Sequence, residues 1–236
     1  MRIDKLLASG FGLGSRTDVK KMIKQGRIRV EGMDIVRPET KIDPYQDRIY
    51  VDGVLQEYKE FVYLMLNKPK DCVSATSDRN FAVVTDYVPA AFSHFDVFPV
   101  GRLDIDTEGL CLLTNDGQLA HKLLSPKNHV PKLYYAELDK SITESDIEKF
   151  RSGITLDDGY VCMPAELSQN DDSGQAVHIK IFEGKFHQVK RMFEAVGLSV
   201  LYLKRVRIKN LVLDENLLPG EVRELSEYEV SDLQKD

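Results

Sequence analysis

The chain has 236 residues with 32 basic and 38 acidic side chains, a net charge of −6, and is 42% hydrophobic and 30% charged. That composition excludes a disordered chain, allows one or two domains with real cores, and taken whole argues against a nucleic-acid partner. Three separated cysteines, Cys72, Cys111 and Cys162, exclude a disulfide framework or a cysteine zinc site, and the absence of a signal-peptide core or a ~20-residue apolar run makes a cytoplasmic protein the expectation.

The first predicted elements are basic. Residues 1–30 hold eight basic and two acidic side chains, a local net of +6. Ile3, Leu6 and Leu7 have helical spacing. "GFGLG" at residues 10–14 matches a nucleotide-loop pattern, but no buried strand precedes it, so it reads as a connection between helices. In "SRTDVKKMIKQG", Ser15 and Asp18 fit a capping box and Gly26 a left-handed stop. Val19, Met22 and Ile23 share one helical face, and Arg16, Lys20 and Lys24 form a stripe beside it. Such a stripe is either a solvated face or a row of cations for successive phosphates. Alternating strands follow around Ile28/Val30 and Ile49/Val51, with turns at Glu31-Gly32 and Asp52-Gly53. Over residues 1–53 this order, with "RIDKLLA…SRTDVKKMIKQGRIRVEG", is similar to the RNA-binding module of ribosomal protein S-four, although Glu31 stands where that family usually has Asn. The resemblance implies a small N-terminal α/β RNA-binding domain, residues 1–58, with Arg16, Lys20 and Lys24 on the RNA.

The texture changes after the polar stretch "VLQEYKE" at residues 54–60. "FVYLML" reads as a buried strand ending in Asn67-Lys68-Pro69. A strand at Leu110–Thr114, a turn at Asn115-Asp116-Gly117 and a helix through Leu119, Leu123 and Leu124 come next. "KLYYAEL" is a strand with Tyr134 and Tyr135 on opposite faces. Thr143 and Asp146 cap a helix that stops near Gly153, and Val177, Ile179 and Ile181 alternate as in a half-buried strand. Residues 180–209 repeat the local net of +6 and contain a helix with Val189, Met192, Phe193 and Val196 on one face, closed by Gly197. The helices and strands lack a regular βαβ rhythm, which predicts α+β with a mostly antiparallel mixed sheet.

The densest string is "VGRLDIDTEGLCLLTNDG", residues 100–117. A calcium loop fails there, because apolar residues fill its second half and Asn115 occupies the twelfth position. An aspartyl-phosphatase pattern fails because Thr107 directly follows Asp106. Turn or capping roles for Asp104 and Asp106 remain open from this string alone. With "FVYLMLNKP", "SPKNHVPKLYYAEL", "IFEGKFHQVKRMFEAVG", "LKRVRI" and "LLPGEVREL", the string resembles the RsuA-type family of ribosomal RNA pseudouridine synthases, in order over nearly the whole chain.

The resemblance implies a synthase domain over residues 59–236 with a central cleft, working without cofactor or metal. Asp104 is then the catalytic carboxylate, as nucleophile or as base, with Asp106 its neighbouring candidate. Such a group needs a cationic partner; the match supplies Lys190, with Arg191 as the alternative. Tyr134 is the implied platform for the flipped uracil, and Arg102 fills the stack the uridine leaves. Lys68, His187 and Arg191 are placed among the RNA-contacting residues. Asp71 and Lys209 stand where the family usually has glycine. The five histidines show no metal spacing. The expected substrate is one uridine in small-subunit (16S) ribosomal RNA, free or in a partly assembled subunit, acted on by a monomer. A large-subunit target, or a non-catalytic ribosome-associated factor, are the alternatives.

Overall fold

The cap predicted at Ser15 forms in a computed structural model that describes residues 1–235. The chain divides into two compact units. In the first, Met1–Val62 with Pro89–Val97, a short helix α1 (Ile3–Lys5) runs into a wider turn, Leu6–Gly10. Helix α2 (Arg16–Lys24) follows. Ser15 Oγ accepts from the Asp18 N–H at 3.2 Å while Asp18 accepts from the Ser15 N–H, so two otherwise orphaned donors are satisfied reciprocally. Strands β1 (Ile28–Val30), β2 (Ile49–Val51) and β3 (Val54–Gln56) form an antiparallel sheet in that order. Asp52 and Gly53 both take positive φ, 49° and 82°, as the tight hairpin between β2 and β3 requires. Strand β3 lies in the stretch read as a polar linker. It is largely exposed, so it buries no alternating face that would have marked it. Val19 and Ile23 of α2 pack with Ile3, Leu6, Val30 and Ile49 in the core of this unit.

The "GFGLG" string is explained by packing. Gly12 has φ +65°, and a Cβ there would sit 2.7 Å from the His94 ring. The close approach, not a nucleotide, requires glycine.

The second unit holds Tyr63–Val88 and the described residues from Phe98 onward. It begins with β4 (Tyr63–Lys68), whose residues from Leu64 are all buried, then β5 (Cys72–Val73) and β6 (Ala82–Val83), which pair in parallel. Next come β7 (Phe98–Pro99), β8 (Glu108–Thr114), α3 (Gly117–Leu124), β9 (Lys132–Leu138) and α4 (Glu144–Ser152). The chain ends with β10 (Glu166–Gln169), β11 (Ala176–Ile181), α5 (Gln188–Glu194), β12 (Val200–Ile208), β13 (Leu211–Val212), β14 (Val222–Glu224) and α6 (Glu227–Gln234). The main sheet runs β10-β11-β9-β12-β8-β4-β14, with β13 on β12 and β7 on β8. Its pairings are antiparallel except β12 with β8, so the architecture is α+β around a mixed sheet. Leu119 and Leu123 of α3 pack on Met65, Leu110, Leu112 and Ile208.

Asp71 and Lys209, the two departures from glycine, have φ of 61° and 53°. The turns keep their left-handed geometry at some strain, which Asp tolerates better than Lys. Among the described residues no helix is long and apolar enough to cross a membrane.

Candidate active site

Strands β9 and β12, with the loop between β7 and β8, line a cleft of about 760 Å³ in the second unit. The loop between β7 and β8 brings Arg102 and Asp104 into it, β9 brings Tyr134, and the turn before α5 brings His187.

The Asp104 loop is held on both sides. Before Asp104, the Ser74 hydroxyl donates to the Leu103 carbonyl and accepts from the Leu103 N–H, both at 2.9 Å. After it, the Lys68 ammonium donates to the carbonyls of Thr107 at 2.9 Å, Ile105 at 3.3 Å and its neighbour Pro69 at 3.0 Å. The Asp71 N–H adds a bond to the Ile105 carbonyl at 2.9 Å. This corrects one expectation. Lys68 is fully buried, so it contacts the Asp104 loop and not RNA. Burial pushes its ammonium pKa down.

Asp104 faces two nitrogen groups. Its Oδ1 is 3.6 Å from His187 Nε2 and its Oδ2 is 3.7 Å from Lys190 Nζ. The shorter Lys190 contact is to Asp106 Oδ1, at 2.5 Å. Burial pushes the Asp106 carboxyl up, but the Lys190 hydrogen bond and charge outweigh it and leave the pKa below the ordinary value. Lys190 therefore bridges the two carboxylates and lies nearer the second. Arg191, the alternative cation, is directed elsewhere. It pairs with Asp157 and, at 2.7 Å, with Asp158, so it is neither a partner of Asp104 nor a free charge for RNA.

Tyr134 is only 8% exposed, on the cleft side of β9, opposite Ile179 of β11 and Arg205 of β12. Tyr135 turns to the other face, edge-on to His178 and Tyr202. His187 holds a left-handed φ of 49° just before α5, and the ring of Phe186 stacks on it at 3.8 Å. Arg102 is exposed at the cleft.

In the first unit, Lys20 and Lys24 are exposed and, among the described residues, have no ion-pair partner. Arg16 differs. Its guanidinium donates at 2.8 Å to Asp4, a buried carboxylate that also accepts from Arg2 and whose pKa is lowered by those arginines. Part of its charge is thus spent inside the fold.

Sequence reasoning missed three residues of the site. Ser74 carries no motif signal. Lys132 and Arg205 also line the cleft. Lys132 was legible, since period-two alternation in "KLYYAEL" puts it on the face of Tyr134. The placing of Arg205 depends on which strand pairs with β9.

A family model described as "RNA pseudouridylate synthase" matches residues 62–195. The chain is 46% identical over 232 residues to "Uncharacterized RNA pseudouridine synthase YtzG" of Bacillus subtilis (strain 168), covering 98% of this chain and 97% of that one. It is 37% identical over 234 residues to "Ribosomal small subunit pseudouridine synthase A" of Escherichia coli (strain K12), covering 98% and 99%. A solved structure titled "Crystal structure of pseudouridylate synthase" superimposes with a TM-score of 0.69 at 36% identity, covering 99% of both chains.

Proposed function

The chain belongs to the RNA pseudouridylate synthase family, and from that premise we propose that it converts one uridine of small-subunit ribosomal RNA to pseudouridine. The relative from Escherichia coli, named for the small ribosomal subunit and matched end to end, supports that choice of RNA. The reaction breaks the bond from C1′ to N1 of uracil, turns the base, and joins C1′ to C5. The proton on C5 is lost and N1 gains one, so atoms and charge balance.

One observation carries the reading: a carboxylate, Asp104, on a loop hydrogen-bonded on both flanks, in the same cleft as an aromatic, Tyr134. Asp104 is assigned the work at the sugar–base junction, as nucleophile at C1′ or as the base that moves a proton. Rigid support suits this role, because a small misplacement of a reacting group is costly. Lys190, shared with Asp106, supplies the positive charge that keeps a carboxylate ionised in a cleft. Tyr134 offers its ring to the uracil after the nucleotide leaves the RNA stack, and Arg102 occupies the vacated place, where its planar guanidinium recovers some stacking. Residues 1–58 hold the RNA through Lys20 and Lys24. The protein acts as a cytoplasmic monomer.

The test is tritium release from 5-tritiated uridine in small-subunit ribosomal RNA, bare and partly assembled. The native protein releases tritium and Asp104→Asn does not rise above background. Full release by Asp104→Asn would sink the assignment.

A further inference from the structure

Three donors converge on Glu183, a carboxylate buried shortly before α5. Its Oε2 accepts from the Tyr160 hydroxyl at 2.6 Å, and its Oε1 accepts from the Met163 N–H and the Gln188 side-chain amide, both at 2.9 Å. A buried carboxylate persists only where donors replace its water. The hydrogen bond to Glu183 pushes the Tyr160 hydroxyl up to about 12, so it donates across the neutral range. No step of the uridine rearrangement calls on this group.

The bonds of Glu183 end at the helix that carries Lys190. Gln188, also buried, passes the restraint on. Its side-chain oxygen accepts from the Lys185 N–H at 2.8 Å, and its own N–H donates to the Lys185 carbonyl at 3.2 Å. These bonds close the turn in which His187 holds its left-handed φ of 49°, a conformation that persists only where the surroundings impose it. The His187 side chain does not cap α5, so the Glu183–Gln188 contact anchors the start of the helix. Arg191 makes a second attachment: its Nε donates to Asp157 at 2.8 Å, and its Nη2 lies 2.7 Å from Asp158. Residues 157–163 thus grip α5 both before and after Lys190.

We propose that Glu183 is a positioning residue: by tying Tyr160 and Met163 to Gln188 it sets the first turn of α5, and with it the reach of Lys190 to Asp104 and Asp106. That role rests on the reading of Asp104 as the reacting carboxylate. Lys190 Nζ is 3.7 Å from Asp104 and 2.5 Å from Asp106, so a small displacement of α5 loses one contact or both. Misplacement by about 1 Å at a reacting site can cost about a hundredfold in rate. Glu183 acts by geometry and not by charge. A glutamine in its place keeps one oxygen for the two N–H donors and turns its amide toward the Tyr160 hydroxyl, which then accepts.

Tritium release from 5-tritiated uridine in small-subunit ribosomal RNA, expressed per folded molecule with the folded fraction taken from urea unfolding, tests this role. Glu183→Leu should lower kcat by about ten- to a hundredfold while KM stays within about threefold. Glu183→Gln should keep kcat within about threefold of native. In a Lys190→Met background Glu183→Leu should cost less than about twofold, because the residue it acts through is gone. Gln188→Met cuts the same link from its other end, should give the same pattern, and decides the matter if Glu183→Leu does not fold. Undiminished kcat in folded Glu183→Leu or Gln188→Met overturns the proposal. So does a further loss of about tenfold beside Lys190→Met. A loss in Glu183→Gln as deep as in Asp104→Asn makes Glu183 a reacting group and overturns it too. Asp104→Asn tests the underlying reading separately: full release there defeats that reading, whereas native kcat in the Glu183 and Gln188 variants defeats only this role.

Discussion

Replacing Lys68 by Met keeps the bulk of the side chain and deletes the ammonium that holds the Asp104 loop. Three carbonyls lose a donor: Pro69 at 3.0 Å, Ile105 at 3.3 Å and Thr107 at 2.9 Å. The Ile105 carbonyl keeps the Asp71 N–H, so the loss falls mainly on the other two. Leaving a buried acceptor unsatisfied costs ~1–3 kcal/mol, which gives ~2–6 kcal/mol for the pair. The change also relieves the cost of burying an ammonium, a term of several kcal/mol that opposes the loss. The two terms are of similar size, so the net change in stability is expected to be small, within about 2 kcal/mol in either direction. Activity should fall whatever the sign of that change, because the loop set free is the one that carries Asp104. Urea unfolding measures the first effect, and tritium release well below the unfolding transition measures the second. Undiminished tritium release by a folded Lys68→Met protein, whatever its stability, would refute the reasoning. Lys68 would then be a buried lysine without a positioning role.

Three further outcomes follow from other contacts. Gly109 has φ +98°, and a Cβ there would lie 2.3 Å from the Arg205 carbonyl oxygen and 2.9 Å from Lys204 Cγ. Gly109→Ala must therefore push β12 away from β8, and a loss of ~3–5 kcal/mol is expected in urea unfolding, where a neutral result would contradict the close pairing. The Arg223 guanidinium, hydrogen-bonded to Glu229, holds that carboxyl down to about 2 from an ordinary 4.5. Because the folded value lies below the unfolded one, the contribution is complete above pH 4.5 and is lost as pH falls toward 2. Its size is ~3 kcal/mol, so Glu229→Gln should flatten the fall in stability over that window, and an unchanged pH profile would count against the pair. Neutralising Lys20 and Lys24 together should weaken RNA binding and make its logarithmic salt slope shallower by about one to two; an unchanged slope means that both lysines are merely solvated.

Much of the fold was legible because its cues are local. The capping boxes at Ser15 and Thr143 depend on residues three apart, and both form. The alternation of Val177, Ile179 and Ile181 marks β11, whose buried positions are those three. Strand β3 and the packing of residues 89–97 into the first unit carried no such cue. The first buries no face, and the second is a long-range contact. Asp104 and Tyr134, offered by the sequence as motif residues, both line the cleft. Lys68 was misread, because charge in a sequence suggests exposure, whereas three backbone carbonyls can bury an ammonium.

The sequence by itself determined the family, the mixed α+β class and the local caps and turns, and it offered Asp104 as the candidate carboxylate. These follow from residue types at short fixed spacings. Tertiary structure decided which partner each charge takes. Lys190 lies nearer Asp106 than Asp104, Arg191 pairs with Asp157 and Asp158, Arg16 is drawn to buried Asp4, and Arg205 joins Lys132 beside Tyr134. A charge is attracted by whatever lies within a few ångströms after the strands have paired. For Arg205 that distance depends on β12 lying between β8 and β9, a pairing across the chain that no short window of sequence contains.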